Sequence, residues 1–150
     1  MRSGDKPTAR GPFTVDASVF LSAVNPNESA HAASLGFLEL ATRIRAPLAL
    51  PTLVLPEVAA GYARSQGDPA LGTALAERIA RLPGVILDPL NRPAAQEAAG
   101  LAAYGRLRGS DAVYAATARR FGATLVTLDR QQRERLPTDI ATRSPDEITE

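Results

Sequence analysis

Short apolar runs alternate with stretches of helical periodicity along the whole chain, and that alternation leaves few folds open. The runs are Phe13–Val15, Leu48–Leu50, Val85–Leu87 and Ala123–Leu128, with Ile140–Thr142 as a candidate fifth. Each is too short and too uniformly apolar for a strand with one wet face. Each therefore predicts a strand buried on both sides. Between them the spacing predicts helices at Ala17–Val24, Glu28–Arg45, Thr52 to about Gln66, Asp68 to about Leu82, Asn91 to about Leu107, Gly109 to about Phe121 and Asp129–Leu136. Asp16, Thr52, Asp68 and Asn91 stand where N-caps belong. Gly67 and Gly122 stand where helices close, and Ser144-Pro145-Asp146-Glu147 has the pattern of a capping box. Strands separated by helices imply an α/β fold, a three-layer sandwich around a parallel sheet of four to five strands. No repeat is present. Residues 13–150 read as a single domain, preceded by a polar, glycine- and proline-containing tail over residues 1–12 that is expected to be disordered.

Composition removes several chemistries. The 150 residues include no cysteine, so disulfides, thiolate nucleophiles and cysteine-bound zinc are excluded. No apolar run has the length of a membrane span, and the lack of cysteine fits a reducing compartment, so a cytoplasmic location away from membranes is the expectation. Net charge is only +1, yet Lys6 is the sole lysine and every other basic residue is arginine. Arg106, Arg108, Arg119, Arg120, Arg130, Arg133 and Arg135 crowd the last third of the chain. Some of them are expected to lie along a nucleic-acid backbone, with Arg106, Arg108 and Arg130 the candidates, and the rest to form a solvated helical face.

The acids carry the functional argument. Asp16 follows the first strand and Asp129 follows Leu125-Val126-Thr127-Leu128, so both fall at carboxyl ends of strands, where open parallel sheets bind ligands. Asp111 opens the helix that leads into that later strand, which brings it to the same rim. Glu57 lies in Leu53–Ala60, a stretch apolar almost all round that is expected to be buried, with no arginine or lysine within one helical turn. A buried carboxylate without a cation must be paired or protonated. Each aspartate alone could be a helix cap; four acids on one rim need another explanation. Two bare charges 4 Å apart repel by about 4 kcal/mol at an effective dielectric of 20, and a hard divalent ion, Mg²⁺ or Mn²⁺, relieves that. Such an ion suits phosphodiester chemistry. Asp88 also ends a strand, but Pro89 follows and no helix opens at once, so it is left outside the site. His31 reads as a surface or helix-packing residue, and Tyr62, Tyr104 and Tyr114 as packing residues.

Four segments together resemble the PIN-domain nucleases, in particular the VapC-type toxin ribonucleases. Val15-Asp16-Ala17-Ser18 resembles the strand-end aspartate with a hydroxyl residue two positions on. Pro51–Val58 resembles the glutamate helix, Gly109-Ser110-Asp111-Ala112 the third acid, and Leu125–Asp129 the closing Thr-x-Asp. Pro56, in the first turn of the glutamate helix, and the N-terminal tail depart from the pattern. The resemblance implies that Asp16, Glu57, Asp111 and Asp129 hold one or two Mg²⁺ or Mn²⁺ ions and that Ser18 and Thr127 order the site by hydrogen bonds. It implies hydrolysis of RNA to a 5′-phosphate and a 3′-hydroxyl, an antitoxin protein as partner, and a homodimer formed through the helices of the Ala17–Gln66 half. An RNA-processing or DNA-directed nuclease outside a toxin–antitoxin pair, and a non-catalytic interaction module of the same fold, stay open as alternatives. A phosphoacceptor receiver domain does not fit, because Asp16 has no acidic neighbour and no lysine occurs late in the chain.

Overall fold

A computed structural model describes residues 10–149; residues 1–9, most of the expected disordered tail, and residue 150 lie outside the described residues. Five strands form one sheet: β1 (Phe13–Val15), β2 (Leu48–Pro51), β3 (Val85–Asp88), β4 (Thr124–Val126) and β5 (Thr142–Arg143). Their order is β3-β2-β1-β4-β5, and every neighbouring pair is parallel. The chain winds outward from β1 through β2 to β3, then crosses back to lay β4 on the other side of β1. The order thus reverses between β1 and β4, whose register sets Val15 against Val126. In open parallel sheets such a reversal is where ligands bind, beyond the carboxyl ends of the strands.

Burial follows the sheet order. Val15, Leu48, Leu50, Leu125 and Val126 are fully buried, as strands covered on both faces must be, whereas Ile86 on the edge strand β3 is exposed. The helices are α1 (Ala17–Ala23), α2 (His31–Arg43), α3 (Val54–Gln66), α4 (Pro69–Ala80), α5 (Arg92–Gly105), α6 (Gly109–Phe121) and α7 (Arg130–Arg135). Among the described residues no helix is long and apolar enough to cross a membrane.

The innermost helix is α6, where every residue from Ala112 to Ala118 is buried. It packs on β1, β2 and β4 and is covered outside by α5. Four alanines in that stretch (Ala112, Ala115, Ala116 and Ala118) keep its girth small enough to lie between sheet and helix. The burial expected of the Glu57 helix is therefore corrected. In α3 only Val54 and Val58 are buried, because one stripe packs on α1 and α4 while Pro56 and Ala60 face outward. Pro56 does not break this helix: it lies in the first turn, where no N–H is needed, and Glu57 N still donates to Leu53 O at 3.3 Å. The α3–α4 contact is close enough to require glycine, since a Cβ on Gly72 would come within 2.3 Å of Ala59 O.

Local expectations shift in four further places. Residues 28–30 form turns and not the first turn of α2, and His31 Nδ1 lies 2.9 Å from Ser22 O, so the imidazole ties the start of α2 to the end of α1. Thr52 does not cap α3. Its amide donates to Asp88 O at 3.0 Å and its hydroxyl accepts from Leu90 N at 3.3 Å, so it joins the ends of β2 and β3. The last strand begins at Thr142, because Ile140 turns into the core. Ser144 opens only a single 3-10 turn, Pro145–Glu147, although Glu147 Oε1 does accept from Ser144 N at 2.9 Å.

Candidate active site

Asp16 stands at the N-cap position of α1, but its side chain makes no capping bond, which corrects the capping role allowed to it above. Its Oδ2 accepts from Ser18 Oγ at 2.6 Å and lies 3.2 Å from Thr127 Oγ1. The sheet causes this meeting, because β1 and β4 are neighbours and Asp16 N donates to Val126 O at 3.0 Å. Burial pushes the Asp16 carboxyl above its ordinary range, and the two hydroxyls only partly offset that.

Asp129 does cap its helix, accepting from Gln132 N at 3.2 Å through Oδ1. Its amide donates to Thr127 Oγ1 at 3.1 Å. The Thr127 hydroxyl has one proton for two acceptors, Asp16 Oδ2 and Gln132 Oε1, the latter at 2.8 Å. Gln132 is itself buried and donates through Nε2 to Asp111 O at 3.4 Å. It therefore fastens the end of β4 to the start of α6. Sequence reading missed it, although its place three residues after Asp129 puts it on the same helical face.

Glu57 reaches the rim from α3 and accepts from Tyr114 Oη at 2.6 Å through Oε1. Tyr114 is fully buried, so it does pack in the core, but its hydroxyl also orients a carboxylate, which the packing role did not foresee. Burial and the adjacent Glu57 hold the phenol protonated, so it remains a donor. The signal was available in the spacing: Tyr114 is one helical turn after Asp111 in α6. Burial raises the Glu57 carboxyl too. The Tyr114 bond opposes this and the charge on Asp16 adds to it.

Asp111 reports on the other three. Burial, then the charges of Asp16 and Asp129, raise its pKa to about 6, with Glu57 adding to the rise and Arg108 opposing it. Asp16, Asp129 and Glu57 therefore all act on Asp111, and Asp16 acts on Glu57; Asp111 and Asp129 line a narrow cleft together with Arg108, Gln132 and Arg135. None of the four takes part in a described ion pair. Among the described residues they do not close into a ready group of three metal ligands; Asp16, Glu57 and Asp129 instead accept hydrogen bonds from Ser18, Tyr114 and the Gln132 amide respectively. Asp88 lies outside the group. Its Oδ2 accepts from Thr117 Oγ1 at 2.8 Å and pairs with Arg120.

The arginines divide in two. Arg119 pairs with Asp139, Arg120 with Asp88 and Glu97, and Arg133 with Glu147. Arg106, Arg108 and Arg130 are exposed and have no carboxylate partner among the described residues. Arg106, in the left-handed region (φ 56°), and Arg108 both belong to the short link between α5 and α6, beside the cleft.

The arrangement has counterparts among known proteins. No curated protein sequence matches the chain. Among solved structures it is similar to VapC20 of Mycobacterium tuberculosis, described as a sarcin–ricin loop cleaving toxin, at 16% identity and a TM-score of 0.69, over 87% of this chain and 99% of that one. It is similar to VapBC2 from Rickettsia felis bound to a fragment of promoter DNA, at 16% identity and a TM-score of 0.66, over 88% of this chain and 97% of that one. It is also similar to a toxin–antitoxin complex from Klebsiella pneumoniae, at 18% identity and a TM-score of 0.59, over 87% of this chain and 99% of that one. The sequence profile of the PIN domain matches residues 13–135, which take in the parallel strands β1 to β4 and all four acids of the cleft; the chain belongs to the PIN domain family of nucleases.

Proposed function

We propose that this chain is a Mg²⁺- or Mn²⁺-dependent ribonuclease and the toxin of a type II toxin–antitoxin pair, acting in the cytoplasm and held in check by a cognate antitoxin protein. The observation that carries the reading is the cluster itself. Asp16, Asp129 and Glu57 all raise the pKa of Asp111, and Asp16 that of Glu57, at a sheet reversal, and among the described residues none of the four has an arginine or lysine in an ion pair. Their donors are all hard carboxylate oxygens, which suit a hard divalent ion. When bound, such an ion neutralises phosphodiester oxygens and lowers the pKa of an attacking water.

The chain's own residues have distinct tasks in this reading. Asp16, Glu57, Asp111 and Asp129 are the ligands. Ser18 and Thr127 fix the Asp16 carboxylate, and the Tyr114 hydroxyl occupies one Glu57 oxygen and so sets the direction of the other. Arg106, Arg108 and Arg130, which take part in no ion pair among the described residues, draw the RNA backbone to the cleft. Hydrolysis adds water across one P–O bond and leaves a 5′-phosphate and a 3′-hydroxyl. A toxin–antitoxin complex and a cleaving toxin among the similar structures support the partner and the substrate class. The outward apolar residues of α3 suit a second copy of the chain in a homodimer.

Single-stranded RNA incubated with the purified protein tests this. Cleavage is expected with Mg²⁺ or Mn²⁺, not with a chelator, and not in Asp16→Asn. Metal-independent cleavage, or full cleavage by the variant, would remove the cluster from the mechanism. Expression without a partner is expected to slow growth; a cleaving but harmless protein would point to RNA processing instead.

A further inference from the structure

A second concavity lies beside the acid cleft. It has a volume of about 470 Å³ and is bounded by Gly100, Tyr104 and Gly105 of α5, Arg119 of α6, and Arg135 and Leu136 at the end of α7. Arg135 lines both this groove and the acid cleft. Its guanidinium donates to Arg106 O at 3.0 Å, which holds it on the wall between them.

Tyr104 is the unexpected member. Expected to pack, it is 95% exposed, so its ring contributes nothing to the core. A Cβ on Gly100 would meet nothing within 4 Å, so the groove is open beside the ring. The charges are selective. Arg119 is consumed by a two-bond pair with Asp139, and Glu97 by Arg120. Arg135 has no carboxylate partner among the described residues. One exposed aromatic face, one guanidinium without a carboxylate partner among the described residues and a volume in the range of small-ligand sites match a single nucleotide: a flat base against Tyr104 and a phosphate at Arg135.

We infer that the groove is a subsite for one unpaired nucleotide adjacent to the bond cleaved, with its base stacked on Tyr104. The inference rests on the nuclease reading above and deepens it. A strand lying across the acid cleft passes Arg135 and delivers its next nucleotide to Tyr104. Only an unpaired base can turn to stack on a side chain, so the subsite selects single-stranded or looped RNA over a duplex.

The test uses a fluorescent single-stranded RNA oligonucleotide and reads binding by anisotropy in the presence of a chelator, where no metal supports hydrolysis. Tyr104→Ala is expected to weaken binding about tenfold, the scale of one base stack, and Tyr104→Phe to restore it. With cleavable RNA and Mn²⁺, Tyr104→Ala is expected to raise KM by a similar factor at unchanged kcat. Oligonucleotides extended on the 5′ or the 3′ side alone identify which neighbour stacks. Equal affinity of Tyr104→Ala and wild type, in a protein that cleaves RNA, overturns the subsite and leaves the nuclease reading standing. A wild-type protein that cleaves no RNA overturns both.

Discussion

Helix α6 serves two carboxylate regions in opposite ways. Asp111, Tyr114, Thr117 and Arg120 recur every three residues, so they lie along one stripe of the helix. The first half of the stripe joins the acid cleft, where Asp111 adds a charge and Tyr114 offers Glu57 only a neutral hydroxyl. The second half meets Asp88 at the end of β3 and supplies both a hydroxyl, from Thr117, and a full counter-charge, from Arg120. Asp88 and Asp16 both occur where a strand gives out, and both receive hydroxyl bonds, yet only Asp88 is neutralised. The residue type and the strand-end position are the same. What separates a structural carboxylate from a candidate ligand is whether the fold spends a cation on it.

Substitutions at the two aspartates should break this contrast most visibly. Asp16→Asn is expected to reduce metal-dependent RNA cleavage by more than about a hundredfold, beyond the loss typical of outer partners of a metal site. Asp88→Asn should leave the rate near wild type; equal losses in a cleavage assay would erase the distinction. The next effect is at the hydroxyls. Tyr114→Phe frees Glu57 and is expected to weaken Mn²⁺ binding by about 10- to 100-fold, whereas Thr117→Val should not change it, as calorimetric titration of the two variants would show. At the compensated end the expected effect is on stability. Arg120→Ala leaves Asp88 and Glu97 without their cation and should cost about 1–3 kcal/mol in urea unfolding, with metal affinity retained.

The smallest effect is on pH dependence. The Asp111 pKa is raised from 3.8 to about 6 in the folded protein, so the folded state holds that proton more tightly than the unfolded chain does. Stability of the metal-free protein should therefore fall as pH rises from about 4 to about 6, and the raised Asp16 and Glu57 carboxyls act in the same direction. Asp111→Asn should flatten that slope in thermal melts across the window. A slope unchanged in the variant would assign the effect to other groups.

Much of this contrast was legible in the residues. Short apolar runs predicted the parallel sheet, because strands buried on both faces leave no room for polar alternation. Asp16, Asp111 and Asp129 were proposed from their positions relative to those runs, and Glu57 from its apolar surroundings. Partners were harder to read. Asp88 was set aside because Pro89 follows it, whereas the structure gives a different ground, Arg120 from a helix 32 residues away in sequence. Tyr114 and Gln132 were missed because a buried hydroxyl or amide looks like core until the group it faces is known. Apolar content also misled about α3: its sequence resembles that of an enclosed helix, but the alanine-rich α6 fits the space beside the sheet and takes that place.

Thermal unfolding measures directly whether the uncompensated acids take up a hard cation. Ligand that binds only the folded state raises Tm with concentration. Millimolar Mn²⁺ at pH 7.5 is expected to raise the Tm of the metal-free wild type, to raise that of Asp88→Asn as much, and to leave Asp16→Asn nearly unmoved. An unchanged wild-type Tm, or the same rise in Asp16→Asn, would contradict such uptake by these acids.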